Sequence, residues 1–157
     1  MKNRIKRMIG KAALFLPVII GICICCGCIR SYTTAVRMNW GIDLPYTGAK
    51  EIFSYSVPDF HGDGIRYHVI DYSVGNGSKK AHTAACKLDT VFDGSSHPTA
   101  TQTAYAEQLL KQIDVPENMF PDWKRCSLVC RKQEDNSELF LFRSRDTGTV
   151  YILESFV

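Results

Sequence analysis

The sequence LFLFRSRDTGTVYIL at residues 139–153 contains two fully apolar runs, 139–142 and 150–153, on either side of a polar loop. Such runs are too short for a helix, and apolar side chains at every position are typical of a strand covered on both faces. Gly148 ends the loop at a position suited to the positive φ of a tight hairpin. These residues predict a β-hairpin at the centre of an antiparallel sheet.

Three further strands are predicted earlier in the chain. Apolar side chains alternate with serines at residues 50–57, and Pro58 ends that pattern. Residues 65–74 are rich in β-branched and aromatic side chains, and residues 123–132 alternate again. Both patterns are typical of strands, so these segments predict the rest of the sheet.

Residues 100–113 have a helical period. Their apolar side chains recur at positions i, i+3, i+4 and i+7, which are Ala106, Leu109, Leu110 and Ile113. The pattern predicts an amphipathic helix that ends before Pro116. Residues 79–96 are ambiguous and are expected to form a loop that contains at most one helical turn. The order β-β-α-β-β-β therefore predicts an α+β domain with one main helix packed on a curled antiparallel sheet.

The N-terminal part of the chain has the composition of a membrane segment. Residues 12–29 are eighteen residues without a charge, and residues 1–11 hold five Lys and Arg but no acid. A helix of that length spans about 27 Å, close to the roughly 30 Å hydrocarbon layer of a bilayer. The preceding cations favour a cytoplasmic N terminus. The segment therefore predicts that the chain after it is exported.

Two interpretations of residues 12–29 stay open. The segment either remains as a transmembrane helix or is a lipoprotein signal peptide that is removed before Cys28, which would then carry lipid. In both cases membrane lipid holds the chain at its N-terminal end, either through the helix or through the acyl group on Cys28. Residues 30–48 are expected to form a tether, and residues 49–157 an extracytoplasmic domain on the outer face of a bacterial cell membrane.

The charge of the exported part excludes one class of partner. Outside residues 1–11, the chain holds fourteen Lys and Arg against sixteen Asp and Glu. A broad nucleic-acid surface needs clustered bases along one face. We therefore expect no nucleic-acid partner.

The sharpest local motif is a glycine-rich loop between the first two predicted strands, formed by Asp59, Phe60, His61, Gly62, Asp63 and Gly64. Oxygen ligands two residues apart, followed by glycine, resemble the start of a calcium loop, but Ile70 stands where the bidentate glutamate belongs. An EF-hand is therefore rejected. The motif is interpreted as a turn that serves as a binding loop, because loops on a rigid sheet commonly carry recognition.

Three cysteines follow the apolar segment, at Cys86, Cys126 and Cys130. Outside the cytoplasm they are candidates for a disulfide. Cys126 and Cys130 on one strand would lie about 13 Å apart, too far to bond each other. Cys86 is therefore expected to pair with one of them and to leave one thiol free.

Three segments carry a resemblance to a known group of proteins: WGIDLP at 40–45, FHGDG at 60–64 and RDTGTVYILE at 145–154. Together they resemble small, uncharacterised membrane-anchored proteins and lipoproteins of Gram-positive bacteria that share a Gly-Ile-Asp-x-Pro segment and an FHGDG turn. The resemblance implies the location and an outer α+β domain. It implies no activity and no catalytic residue.

The sequence therefore predicts a membrane-anchored binding protein, with an unknown protein or peptide partner and no catalytic residue, metal or cofactor. One form of this function is an immunity-type protein that binds a toxin or antimicrobial peptide. An alternative is a small envelope hydrolase or metal-binding enzyme centred on Asp59, His61, Asp63 and His68. A third possibility is a structural subunit of an envelope complex.

Overall fold

A computed structural model of the chain describes residues 32–58, 64–73 and 79–157. The strands of this part form one antiparallel sheet in the order β1-β2-β5-β4-β3. They are β1 (Lys50–Pro58), β2 (Gly64–Asp71), β3 (Cys126–Lys132), β4 (Glu138–Ser144) and β5 (Thr149–Phe156). The helices are α1 at residues 32–40, α2 (Lys79–Val91) and α3 (Ala100–Gln112), with two 3-10 turns at Glu117–Met119 and Trp123–Arg125.

The predicted central hairpin is confirmed. β5 lies in the middle of the sheet, between β2 and β4. The apolar side chains of β4 and β5 are buried on both faces: Leu139, Phe140, Leu141, Phe142, Val150, Ile152 and Leu153. Gly148 has a φ of +69°, the left-handed conformation that the hairpin loop requires. The prediction of an α+β fold with a largely antiparallel sheet is thereby borne out.

Helix α3 covers one face of the sheet, which we call the α3 face. The helix begins with a capping box, in which the backbone N–H of Gln102 donates to Oγ1 of Thr99 over 3.2 Å and the N–H of Thr99 donates to Oε1 of Gln102 over 2.9 Å. Its predicted apolar stripe is buried against one cluster that includes Tyr67, Leu128 and Phe142.

Helix α2 occupies most of the segment that was expected to be a loop. Ala84 and Leu88 are buried on its inner side, and Phe92 is buried directly after its end. They pack against Leu139 and Leu141 on the opposite face of the sheet, which we call the α1/α2 face. The prediction of a single main helix is therefore wrong. Ala84, Leu88 and Val91 recur at helical spacing and face this core, but the polar side chains around them hide the pattern in the sequence.

Helix α1 lies within the segment that was expected to be a tether. Val36, Trp40, Ile42 and Leu44 are buried in the core of the α1/α2 face. The helix ends at Gly41, whose φ is +69° and whose N–H donates to the carbonyl of Arg37 over 2.9 Å. The packed domain therefore begins no later than residue 32 rather than at residue 49.

Helices on both faces explain why the central strands are apolar at every position. The membrane predictions concern other residues, since the basic segment 1–11 and the apolar segment 12–29 lie outside the described residues. Within the described part of the chain, no helix is both long enough and apolar enough to span a bilayer.

Candidate functional site

Gly64 is the one residue of the predicted binding loop that belongs to the described part of the chain. Asp59, Phe60, His61, Gly62 and Asp63 lie outside the described residues, as does the lipidation candidate Cys28. Gly64 is described: it begins β2, where its Cα pairs with Pro58 on β1 and Phe156 on β5. The loop therefore connects an edge hairpin of the sheet.

A buried acid on β5 organises the α1/α2 face. Glu154 is 1% exposed, and its carboxylate accepts two hydrogen bonds from α1. The indole Nε1–H of Trp40 donates to Oε1 over 2.6 Å, and the hydroxyl of Tyr32 donates to Oε2 over 2.9 Å. Hydrogen bonds to an ionised acceptor are stronger than those between neutral groups. Glu154 therefore fixes α1 to the sheet.

His68 lies beside this acid and is covered by the same helix. Its ring stacks on the ring of Tyr32 with centroids 3.4 Å apart, and its Nδ1 lies 2.6 Å from Oε1 of Glu51 on β1. Burial lowers the pKa of His68, although its hydrogen bond to Glu51 and the nearby charge of Glu154 act in the opposite direction. We call Tyr32, Trp40, Glu51, His68 and Glu154 the Glu154 cluster.

The Glu154 cluster is packed like a structural network. Burial also raises the pKa of Tyr32 well above its usual value, so that its hydroxyl stays a donor. Arg66, whose Cα pairs with Glu154, places its guanidinium 4.7 Å from the ring centroid of Phe156. Every buried side-chain N or O atom in the described ranges has a hydrogen-bond partner. The cluster therefore holds α1 in place, and its buried polar atoms already have hydrogen-bond partners.

The strand β1 has a different character, because it forms one edge of the sheet. Among the described strands, only β2 pairs with it. Phe53, Tyr55 and Val57 are the Cα partners of three residues buried on the α3 face, which are Val69, Tyr67 and Ile65. Tyr55 is nevertheless 43% exposed and Val57 41% exposed. This apolar row extends the core of the α3 face to the edge of the sheet, where Tyr55 and Val57 are exposed to solvent.

Sequence reasoning predicted the strand but not this exposure. The alternation at residues 50–57 indicated that the apolar side chains would be the buried ones and the serines the exposed ones. Ser54 and Ser56 are exposed, but so are Tyr55 and Val57, because no other described strand lies on the outer side of β1 in the sheet. The position of a strand within a sheet depends on distant pairing, which the local pattern does not contain.

Two depressions on the described surface are large enough for a small ligand. One, of about 400 Å³, is lined by Asp89, Asp93, Arg143 and Arg145 together with serines and glycines. Arg143 donates to Asp89 over 2.6 Å, and Arg145 donates to Oγ of Ser127 over 3.2 Å. The charges of its two acidic and two basic side chains cancel, so the depression favours neither anionic nor cationic ligands. The other, of about 1030 Å³, is an open hollow beside Trp123 at the start of α3.

The candidate cysteines are free thiols, and the structure does not bring Cys86 to the other two. Cys86 is exposed on α2, with its Sγ 3.8 Å from Nε2 of His82. Cys126 and Cys130 belong to the α3 face, so the sheet separates them from Cys86. Burial raises the pKa of Cys126 to about 11 and also raises the pKa of Cys130. The expected disulfide is therefore not formed.

No group of three or more His, Cys, Asp or Glu side chains within the described ranges could hold a metal ion. Comparison with protein-family models, with curated proteins and with solved structures found no match to this chain. The edge of β1, with its exposed Tyr55 and Val57, is the candidate functional site.

Proposed function

We propose that this protein is a membrane-anchored binding protein that presents its α+β domain on the outer face of a bacterial cell membrane. It engages a polypeptide partner by adding a strand to the open edge of β1. The observation that carries this proposal is the exposed apolar row formed by Phe53, Tyr55 and Val57. This row extends the core of the α3 face to β1, whose outer edge pairs with none of the other described strands.

The chemistry of this edge defines the partner. An edge strand presents unpaired backbone N–H and C=O groups that can bind another extended chain. Natural proteins often protect such edges with charged side chains, but residues 53–57 of β1 carry none. A strand with apolar side chains at alternate positions would cover the Tyr55 row, and its polar side chains would lie beside Ser54 and Ser56. The partner is therefore an amphipathic extended segment.

The packing of His68 supports binding over catalysis. It is the one member of the suggested enzymatic set Asp59, His61, Asp63 and His68 that lies in the described residues. Its Nδ1 is bonded to Glu51 and its ring is covered by Tyr32. A general base must reach the substrate proton, whereas this imidazole is used within the fold.

Photo-crosslinking in membranes tests the binding site. A benzophenone amino acid is placed at Tyr55 and, as the matched control, at Tyr105, an aromatic residue of α3 that is 38% exposed. We expect a discrete adduct on irradiation from position 55 and none from position 105. An absence of adducts from position 55, or the same adducts from both positions, would contradict the assignment.

Thiol labelling tests the topology with a group that the chain already has. Cys86 is exposed and Cys126 is fully buried. We expect a membrane-impermeant maleimide to label this protein on intact cells. The Cys86→Ser variant should lose most of that label. Labelling of Cys86 that requires cell lysis would place the domain inside the cell and overturn the proposed location.

A further inference from the structure

We infer that the strand added to β1 is β1 of a second copy of this chain, paired antiparallel about a twofold axis at Tyr55. This inference rests on the proposed use of the β1 edge and names its occupant. An isologous pair of this kind requires a surface that is complementary to itself. The sequence of β1 satisfies that requirement in one register.

In the register centred on Tyr55, every opposed pair has matching chemistry. Tyr55 lies opposite its own copy, Phe53 lies opposite Val57, and Ser54 lies opposite Ser56. Aromatic pairs, aromatic pairs with β-branched residues, and hydroxyl pairs are all favourable across antiparallel strands. Directly opposed residues share a face, so the two Tyr55 rows join into one apolar surface on the α3 face.

Neighbouring registers are less favourable. An axis at Ser54 places the carboxylate of Glu51 opposite Val57, and an axis at Ser56 leaves Phe53 without an opposite residue on β1. A shift by one residue would oppose side chains of different faces and is excluded by the pleat. The register at Tyr55 is therefore specified by the side chains of the strand itself.

The ends of the pairing are also defined. The register between β1 and β2 shifts between Glu51 and Phe53, which marks a bulge in β1. Bulges disrupt a ladder and often end it. At the other end, Pro58 has no N–H to donate. The paired segment thus comprises residues 53–57, a typical strand length of about five residues.

The position of α1 makes this arrangement compatible with a membrane. A twofold axis that relates two antiparallel edge strands of one sheet runs perpendicular to the sheet. Both copies of α1 then lie on the same side of the continuous ten-stranded sheet, because α1 packs on the α1/α2 face. Residue 32 is where the described chain starts, and the apolar segment 12–29 precedes it. The two N-terminal segments can therefore enter one membrane.

Disulfide trapping tests the register with the full-length chain in membranes. All variants carry Cys86→Ser, which removes the exposed native thiol, and this parent chain sets the background. On the axis, the two Tyr55→Cys residues would have Cα atoms about 4.5–5.5 Å apart, within disulfide range. The two Val57→Cys residues would lie about 13 Å apart along the strand direction and could not bond.

We expect mild oxidation to convert Tyr55→Cys to a disulfide-linked dimer at least ten times more efficiently than Val57→Cys or the Tyr105→Cys control. Mixing Phe53→Cys with Val57→Cys chains is expected to restore crosslinking, since these positions oppose each other. Tyr55→Cys that forms no dimer above the parent background overturns the inference, and equal crosslinking of Val57→Cys overturns the register.

The photo-crosslinking experiment separates this inference from the proposed function. An adduct at position 55 with the mass of two chains supports both. The adduct could instead contain a different protein, while sedimentation analysis shows a monomeric wild-type chain. These two results would overturn the second copy as occupant and would leave the β1 edge as a binding site. No adduct at all overturns both.

Discussion

Glu154→Ala is expected to destabilise the domain severely, because it removes the acceptor of the buried Trp40 indole and of the partly buried Tyr32 hydroxyl. The carboxylate is 1% exposed and accepts from Trp40 over 2.6 Å and from Tyr32 over 2.9 Å. A buried donor left without a partner costs about 1–3 kcal/mol. Two such donors give a loss of about 2–6 kcal/mol, a large part of the roughly 5–15 kcal/mol that stabilises a typical domain.

Intermediate substitutions should follow the same hydrogen-bond count. Glu154→Gln retains one acceptor oxygen, so it is expected to lose about half as much stability as Glu154→Ala. Tyr32→Phe and Trp40→Phe each remove one donor and should each cost about 1–3 kcal/mol. The triple variant Tyr32→Phe, Trp40→Phe, Glu154→Leu leaves no orphaned polar group. It should therefore be more stable than Glu154→Ala alone.

Urea unfolding of the full-length chain in a mild detergent measures these losses. The fluorescence of Trp123, which packs on Phe142 on the α3 face, remains as a reporter in every variant. Glu107→Ala is the matched control, because Glu107 forms an exposed ion pair with Lys111, and pairs of this kind contribute little to stability. If Glu154→Ala is no more destabilising than Glu107→Ala, then the Glu154 cluster does not hold α1 against the sheet.

Three further predictions concern other parts of the domain. Burial lowers the pKa of His68 from its ordinary 6.5, so the unfolded chain binds the proton first and stability is lost as the pH falls below that value. The melting temperature should decrease with acidification, and less steeply in His68→Gln; equal slopes would contradict this. In native protein, a thiol reagent should modify Cys86 quickly and Cys126 only after denaturation, because Cys126 is fully buried; equal rates would count against the packing. Leu88→Ala, at 1% exposure, should cost about 2–5 kcal/mol in urea unfolding, and a negligible loss would remove α2 from the core.

The parts of the fold that could be predicted are those whose pattern is local. The strands around Gly148 are apolar at every position because the sheet is covered on both faces, and that property is visible in consecutive residues. Helix α3 carries its own period and its own capping residues, Thr99 and Gln102. In both cases the residues that determine the element lie within the element.

The second helix was not predicted because its apolar surface is small. Ala84 and Leu88 are its buried apolar residues, and the segment around them contains lysines and threonines. Val91 packs against the same cluster and continues their helical spacing, but alanine is a small apolar side chain, so this period is less visible in the sequence than that of Leu109 and Leu110 on α3. The sheet stabilises α2, because Leu139 and Leu141 on β4 are apolar and are buried when the helix packs on them. This stabilising contact comes from residues on β4, so the sequence of residues 79–91 alone does not indicate it.

The candidate site at β1 could not be predicted from the sequence for the same reason, because it depends on residues that are distant in the chain. The sequence indicated Tyr55 and Val57 as the buried face of a strand, and only the order of the strands shows that β1 has one neighbour among the described strands. Similarly, His68 was considered for catalysis, but its partner Glu51 comes from the neighbouring strand and its cover Tyr32 from α1. Chemistry at a site follows from such neighbours rather than from residue type.

Glu154 explains why the N-terminal boundary of the domain could not be read from composition. In sequence it is one acid at the end of an apolar strand, while Tyr32 and Trp40 are aromatic residues in a segment without periodicity. The hydrogen bonds that join them cross 122 and 114 residues of chain. A buried carboxylate is unfavourable unless donors surround it, and the donors for this acid come from outside the sheet. The helix that provides them is thereby held against β5, so residues 32–40 belong to the fold even though their composition resembles a tether.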